Sequence, residues 1–163
     1  MKPVLIILLF IGLQTFCYAA GADPFISKNY SQGSFAVFNK GKVSPLLVSD
    51  NDWPGVTRAA KNLQLDLQKV TGVEPLFLNG KPEGMPIIIG TIGKSKIIDQ
   101  LISTHKIQVA GIAGKWESTL IEVVANPVEG VDSALVIAGS DKRGTIYGIY
   151  ELSYQIGVSP WYY

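Results

Sequence analysis

One cysteine, one histidine and no run of lysine or arginine mark what this 163-residue chain does without. A single thiol, Cys17, builds neither a disulfide framework within the chain nor a cysteine metal site. His105 follows a helical pattern in a polar stretch, where an isolated imidazole is a solvated surface group rather than a catalytic one. Fourteen basic side chains face 13 acidic ones, for a net charge of +1. Nucleic-acid binding rests on clustered positive charge, so no nucleic-acid partner is expected. A near-neutral chain leaves a neutral ligand such as a sugar open.

Hydrophobic runs are also scarce beyond the amino terminus. There, Lys2 precedes an apolar run over residues 4–11, followed by Leu13, Phe16 and the small residues Ala19, Ala20, Gly21 and Ala22. That is the order of a secretory signal, and residues 1–22 are expected to be a leader cleaved after Ala19 or Ala22. Gln14 and Thr15 interrupt the run well short of the roughly 20 residues that span a bilayer. Phe16 before Cys17 is too bulky for a lipoprotein signal. Cleavage removes Cys17 and Lys2, one of the 14 basic residues, which leaves a charge-balanced domain without a thiol. The expected localisation is secreted or periplasmic, with no membrane partner after cleavage.

What remains is one domain's worth of chain, with a connector over 23–33 and an α/β domain over 34–158. Residues 34–38 and 45–48 read as two strands of a hairpin around Asn39-Lys40-Gly41-Lys42. Asp50, Asp52 and Pro54 form a helix-start signal, in which capping accounts for both carboxylates. Val56, Ala59, Ala60, Leu63, Leu67 and Val70 then fall on one helical face, and Gly72 is the expected stop. Strands are expected over 74–78, 86–89, 118–125 and 134–138. A second helix should bury Ile97, Ile98, Leu101 and Ile102. The last helix, over 141–155, starts at Ser140 or Asp141 and stops at Gly157. Gly144 and Gly148 share one face of it, where they would let its backbone approach a sheet closely. The fold class is α/β, a mixed β-sheet sandwich of five to seven strands covered by helices.

Two strand-to-helix turns could carry chemistry. Gly90-Thr91-Ile92-Gly93-Lys94-Ser95 has the Gly-Lys-Ser of a phosphate loop, but Ile88 stands where the first glycine should be, so nucleotide binding is not expected. Gly139-Ser140-Asp141-Lys142-Arg143-Gly144 opens the last helix, where free N–H groups can face an anion or a polyol. Lys142 and Arg143 oppose the helix dipole there unless an acidic group pairs with them. Trp53 beside Pro54 suits either a sugar-stacking platform or a packing wedge. No complete catalytic constellation emerges, and neither a cofactor nor a metal is implied.

The segment "GSDKRGTIYGIYELSYQIGVSPWYY", with "SDNDWPGVTRAAKNLQLDLQKVTG" and "IIIGTIG" upstream, resembles the N-terminal domain of glycoside hydrolase family 115, the xylan α-1,2-glucuronidases. The resemblance runs from about residue 34 to 163. It implies a fold like the N-terminal domains of α-glucuronidases and β-N-acetylhexosaminidases, and residues 159–163 as the truncated start of a catalytic (β/α)8 barrel. The family continues past Pro-Trp-Tyr with tryptophan and an acidic residue, whereas Tyr163 takes the tryptophan position here. The family's catalytic residues lie on the barrel and in later domains, so none is carried onto this chain. The implied function is an accessory domain of a secreted hydrolase that removes (4-O-methyl)glucuronic acid from xylan, inactive as a fragment. A stand-alone secreted carbohydrate-binding or interaction module is the alternative. Asp141, Lys142, Arg143, Trp53 and Trp161 are the expected substrate or interdomain contacts. The expected partners are the barrel of the same chain, xylan or glucuronoxylan oligosaccharides, and a second copy in a homodimer.

Overall fold

Strand alternation and two helical faces place the core. The computed structural model describes residues 24–158 except Tyr30 and Gly80. The leader, residues 159–163 and Trp161 therefore lie outside the described residues. The elements in order are β1 (Phe38–Asn39), β2 (Lys42–Val43), β3 (Leu46–Val48), α1 (Pro54–Thr71), β4 (Phe77–Asn79), β5 (Ile87–Thr91), α2 (Lys96–Ser103), β6 (Thr119–Ala125), β7 (Ser133–Gly139) and α3 (Lys142–Gln155).

Five strands form one mixed sheet in the order β4-β3-β5-β7-β6. β4, β3, β5 and β7 are parallel neighbours, and β6 pairs antiparallel with β7. Leu46, Val48, Ile87, Ile89, Leu135 and Ile137 point to one face, where they meet Val56, Ala59, Leu63 and Leu67 of α1 and Ile149 and Leu152 of α3. Leu47, Ile88, Val136 and Ala138 point to the other, against Ile98 and Leu101 of α2 and Ile107. Residues alternate across a pleated strand, so burial on both faces gives the near-continuous apolar runs 46–48, 87–89 and 134–138. Burying each of the valine, leucine and isoleucine side chains among these stabilises the fold by about 1.5–3 kcal/mol before chain entropy is counted.

The helices follow their sequence signals. Gly72 ends α1 at φ 74°, a left-handed position that glycine takes without steric cost. In α3, Gly144 lies against the Ser118 backbone, and Gly148 against Thr119 and Ile137. A Cβ at either would collide, so the glycines set how close α3 comes to β6 and β7.

Three expectations are corrected. The hairpin forms between β1 and β2 around Lys40-Gly41, while β3 leaves it to pair in parallel with β4 and β5. Neither Asp50 nor Asp52 caps α1, whose N-cap is Trp53 with no side-chain cap bond. Val70 is 51% exposed. The 18 residues of α1 run about 27 Å, whereas the three residues of β3 beneath it run about 10 Å. The last turn thus overhangs the sheet. In α2, Ile98 and Leu101 are buried, and Ile97 and Ile102 are half-buried at its flanks.

Candidate functional site

The chain crosses from one face of the sheet to the other between β3, followed by α1, and β5, followed by α2. In open α/β sheets such a switch point leaves a crevice outside the carboxyl ends of the strands. Here it is a cleft of about 350 Å³ lined by Trp53, Thr91, Ile92, Gly93, Lys94, Ser140, Asp141 and Lys142. Of the residues singled out in the sequence, Trp53, Asp141 and Lys142 meet at this cleft.

Its floor is a polar chain. The Asp52 carboxylate, only 7% exposed, accepts from the Thr91 N–H (2.7 Å), the Thr91 hydroxyl (2.8 Å) and the Trp53 N–H (2.7 Å). Thr91 and Thr145 place their Oγ1 atoms 2.8 Å apart, and the Thr145 hydroxyl donates to the Asp141 carbonyl at 2.9 Å. A carboxylate only accepts, so Thr91 gives its one hydroxyl proton to Asp52 and the Thr145 proton is shared between Thr91 and the Asp141 carbonyl. This chain joins the starts of α1 and α3 to the end of β5.

Asp141 is the N-cap of α3. Its Oδ1 accepts from the Gly144 N–H at 2.7 Å and its Oδ2 from the Glu117 N–H at 3.0 Å. Those two backbone donors, Glu117 foremost, hold its carboxyl below the usual carboxylate range. Ser140 is bonded to Ser118 through both its backbone N–H and its hydroxyl. Trp53 is 40% exposed, with the Lys94 ammonium 4.4 Å from its ring centroid. That is a cation held against an electron-rich face.

Arg143 turns away from the cleft. Its guanidinium meets the Glu117 carboxylate at 2.7 Å and donates to the Tyr147 hydroxyl at 3.0 Å. The tyrosine bond and then the glutamate raise its already high pKa. Glu117 is thus the acidic partner that a cation in the first turn of α3 calls for. Arg143, Tyr147, Tyr150 and Tyr154 run along one outward stripe of α3, and the three tyrosines are 43%, 44% and 59% exposed. Tyr150 accepts from Asn62 of α1 at 2.9 Å.

Sequence reasoning missed Asp52, Thr91 and Thr145 as a connected unit, and it missed the tyrosine stripe. The stripe is legible in the spacing Tyr147, Tyr150, Tyr154, which repeats at helical intervals. His105 is exposed, at φ 56°. Among the described residues, no group of three or more His, Cys, Asp or Glu side chains is placed to hold a metal ion. Nor is any described helix long and apolar enough to cross a membrane.

Among solved structures the chain is similar to a 4-O-methyl-α-glucuronidase of glycoside hydrolase family 115 described as having specificity for decorated arabinogalactans. The two are 33% identical with a TM-score of 0.56 over 72% of this chain. The match spans 14% of that enzyme. No protein-family model matches the chain, and no curated protein does. The chain is therefore an α/β domain related to a glycoside hydrolase. More particularly, its fold is like part of a family 115 glucuronidase.

Proposed function

We propose that this chain is an accessory α/β domain of a secreted glycoside hydrolase that removes (4-O-methyl)glucuronic acid from a decorated glycan, and that it docks on a catalytic barrel through α3. The observation that carries this reading is the similarity to part of a family 115 enzyme. The outward stripe of α3 supports the docking face: three exposed tyrosines lie beside an ion-paired arginine, and the hydroxyls of Tyr147 and Tyr150 already accept hydrogen bonds, a composition suited to an interface. The carboxylates of Asp52 and Asp141 are occupied by structural donors, which is in keeping with an accessory role for this face of the domain. Glucuronoxylan is the expected substrate, and arabinogalactan is the polymer on which the similar enzyme is described as acting.

The test is Arg143→Ala combined with Tyr154→Glu in the intact enzyme. Its thermal midpoint and its release of glucuronic acid from both polymers should fall, while the circular dichroism of the 163-residue chain carrying the same changes stays as it was. Unaltered midpoint and release would sink the docking role. A second reading, a stand-alone carbohydrate-binding module, draws on the exposed ring of Trp53. It requires the chain alone to bind xylan oligosaccharides, which the accessory reading does not.

A further inference from the structure

We propose that the cleft at the ends of β5 and β7 is a binding site for a small sugar acid, with the sugar ring against Trp53 and its acid group held by Lys94 and Lys142. The inference does not depend on docking through α3, because the cleft and the tyrosine stripe use different side chains.

Most polar groups on the wall are already occupied. Thr91 is bonded to Asp52 and Thr145, and the Gly93 N–H donates to Asp99 at 2.8 Å. Ser140 is bonded to Ser118, and both Asp141 oxygens hold backbone N–H groups. Asp141 also caps α3 through the Gly144 N–H and sets its own negative charge at that helix end, so the helix end is not taken as the attractor. The cationic donors on the wall are the ammonium groups of Lys94 and Lys142. Among the described residues neither has a carboxylate within 4.0 Å. Lys94 rests on the Trp53 ring instead.

A ligand that answers this wall must be rich in acceptors and carry negative charge. It must also cover the apolar surface that exposed Trp53 and half-buried Ile92 present to the cleft, which a bare inorganic anion does not. A pyranose ring has a flat C–H face for the indole, and its carboxylate supplies the charge. At about 350 Å³ the cleft lies at the lower end of the range for small-molecule sites. It sits where parallel α/β sheets place their ligands.

The experiment is a titration of the full chain, at matched ionic strength, with sodium D-glucuronate, D-glucose and sodium phosphate, following the Trp53 indole N–H by NMR. Glucuronate should shift that signal to saturation, with glucose and phosphate each at least about tenfold weaker. Lys94→Ala with Lys142→Ala should abolish the response while the amide spectrum stays dispersed. Lys94→Gln alone should weaken it, which guards against a fold defect in the double variant. No saturation by about 50 mM glucuronate overturns the proposal. So does glucose or phosphate binding as tightly as glucuronate, or a double variant that still responds.

Discussion

Asp52, on the turn after β3, and Thr91, at the last position of β5, are 39 residues apart and joined by two hydrogen bonds of 2.7 and 2.8 Å. The pair fixes the turn bearing Trp53 to the central strand, and through Thr145 it reaches α3. Replacing Asp52 by Ala leaves a buried N–H and a buried hydroxyl short of acceptors, at about 1–3 kcal/mol for each group left unsatisfied. The urea midpoint of Asp52→Ala should drop accordingly with the slope unchanged. Asp52→Asn keeps one acceptor oxygen and should lose less. Equal stability of all three proteins would show that the pair is incidental.

Gly144 offers a second test of how α3 is seated. A methyl group there meets the Ser118 backbone, which cannot yield as a side-chain tip can. Gly144→Ala should destabilise by about 2 kcal/mol or more, as overpacking does. Gly111 has open space around it and an unexceptional φ, so Gly111→Ala should stay within about 0.5 kcal/mol of the parent. Thermal unfolding of the two variants side by side checks the contrast.

Two carboxylates give stability opposite dependences on pH. Glu122 of β6 has its Oε1 buried without a hydrogen-bond partner among the described residues, and burial pushes its carboxyl up. Stability tied to the neutral form is fully present below the unfolded carboxylate value and is lost as pH rises through the raised folded value. Glu122→Gln should therefore raise the urea midpoint at neutral pH, with the advantage vanishing near about pH 4. Asp141 is depressed by its backbone donors. Its contribution is present above the unfolded value and lost as pH falls through the lower folded one. Asp141→Ala should weaken the protein at pH 7 by about 1 kcal/mol, as loss of an N-cap does. A Glu122→Gln advantage that persists in acid would contradict the assignment.

Surface ion pairs contribute little to stability on their own. Arg143→Ala should therefore barely move the midpoint of the 163-residue chain, although it removes the Glu117 pair and the Tyr147 bond. A large loss in this chain would give Arg143 a role within the domain rather than at its surface.

The elements governed by local physics were legible in the sequence. The periodicity of α1, its stop at Gly72, the Asp141 cap and the glycines of α3 all express constraints that neighbouring residues impose. The partners of β3 were not, because Lys40-Gly41 announces a hairpin and parallel pairing with residues 77–79 and 87–89 has no local signature. Asp52 was misassigned for a related reason. An acid before a helix has the composition of a cap, and only the folded sheet brings Thr91 within its reach. The cleft followed the same division: Trp53 and the α3 turn were visible as candidates, whereas their meeting with Lys94 depends on the crossover between β3 and β5.

The most direct test is to recover the native polypeptide from its source with an antibody against this domain and to measure glucuronic acid release from glucuronoxylan and arabinogalactan. The account predicts release by the recovered polypeptide and none by the 163-residue chain alone. A native polypeptide that carries this domain and releases no glucuronic acid from either polymer would contradict it.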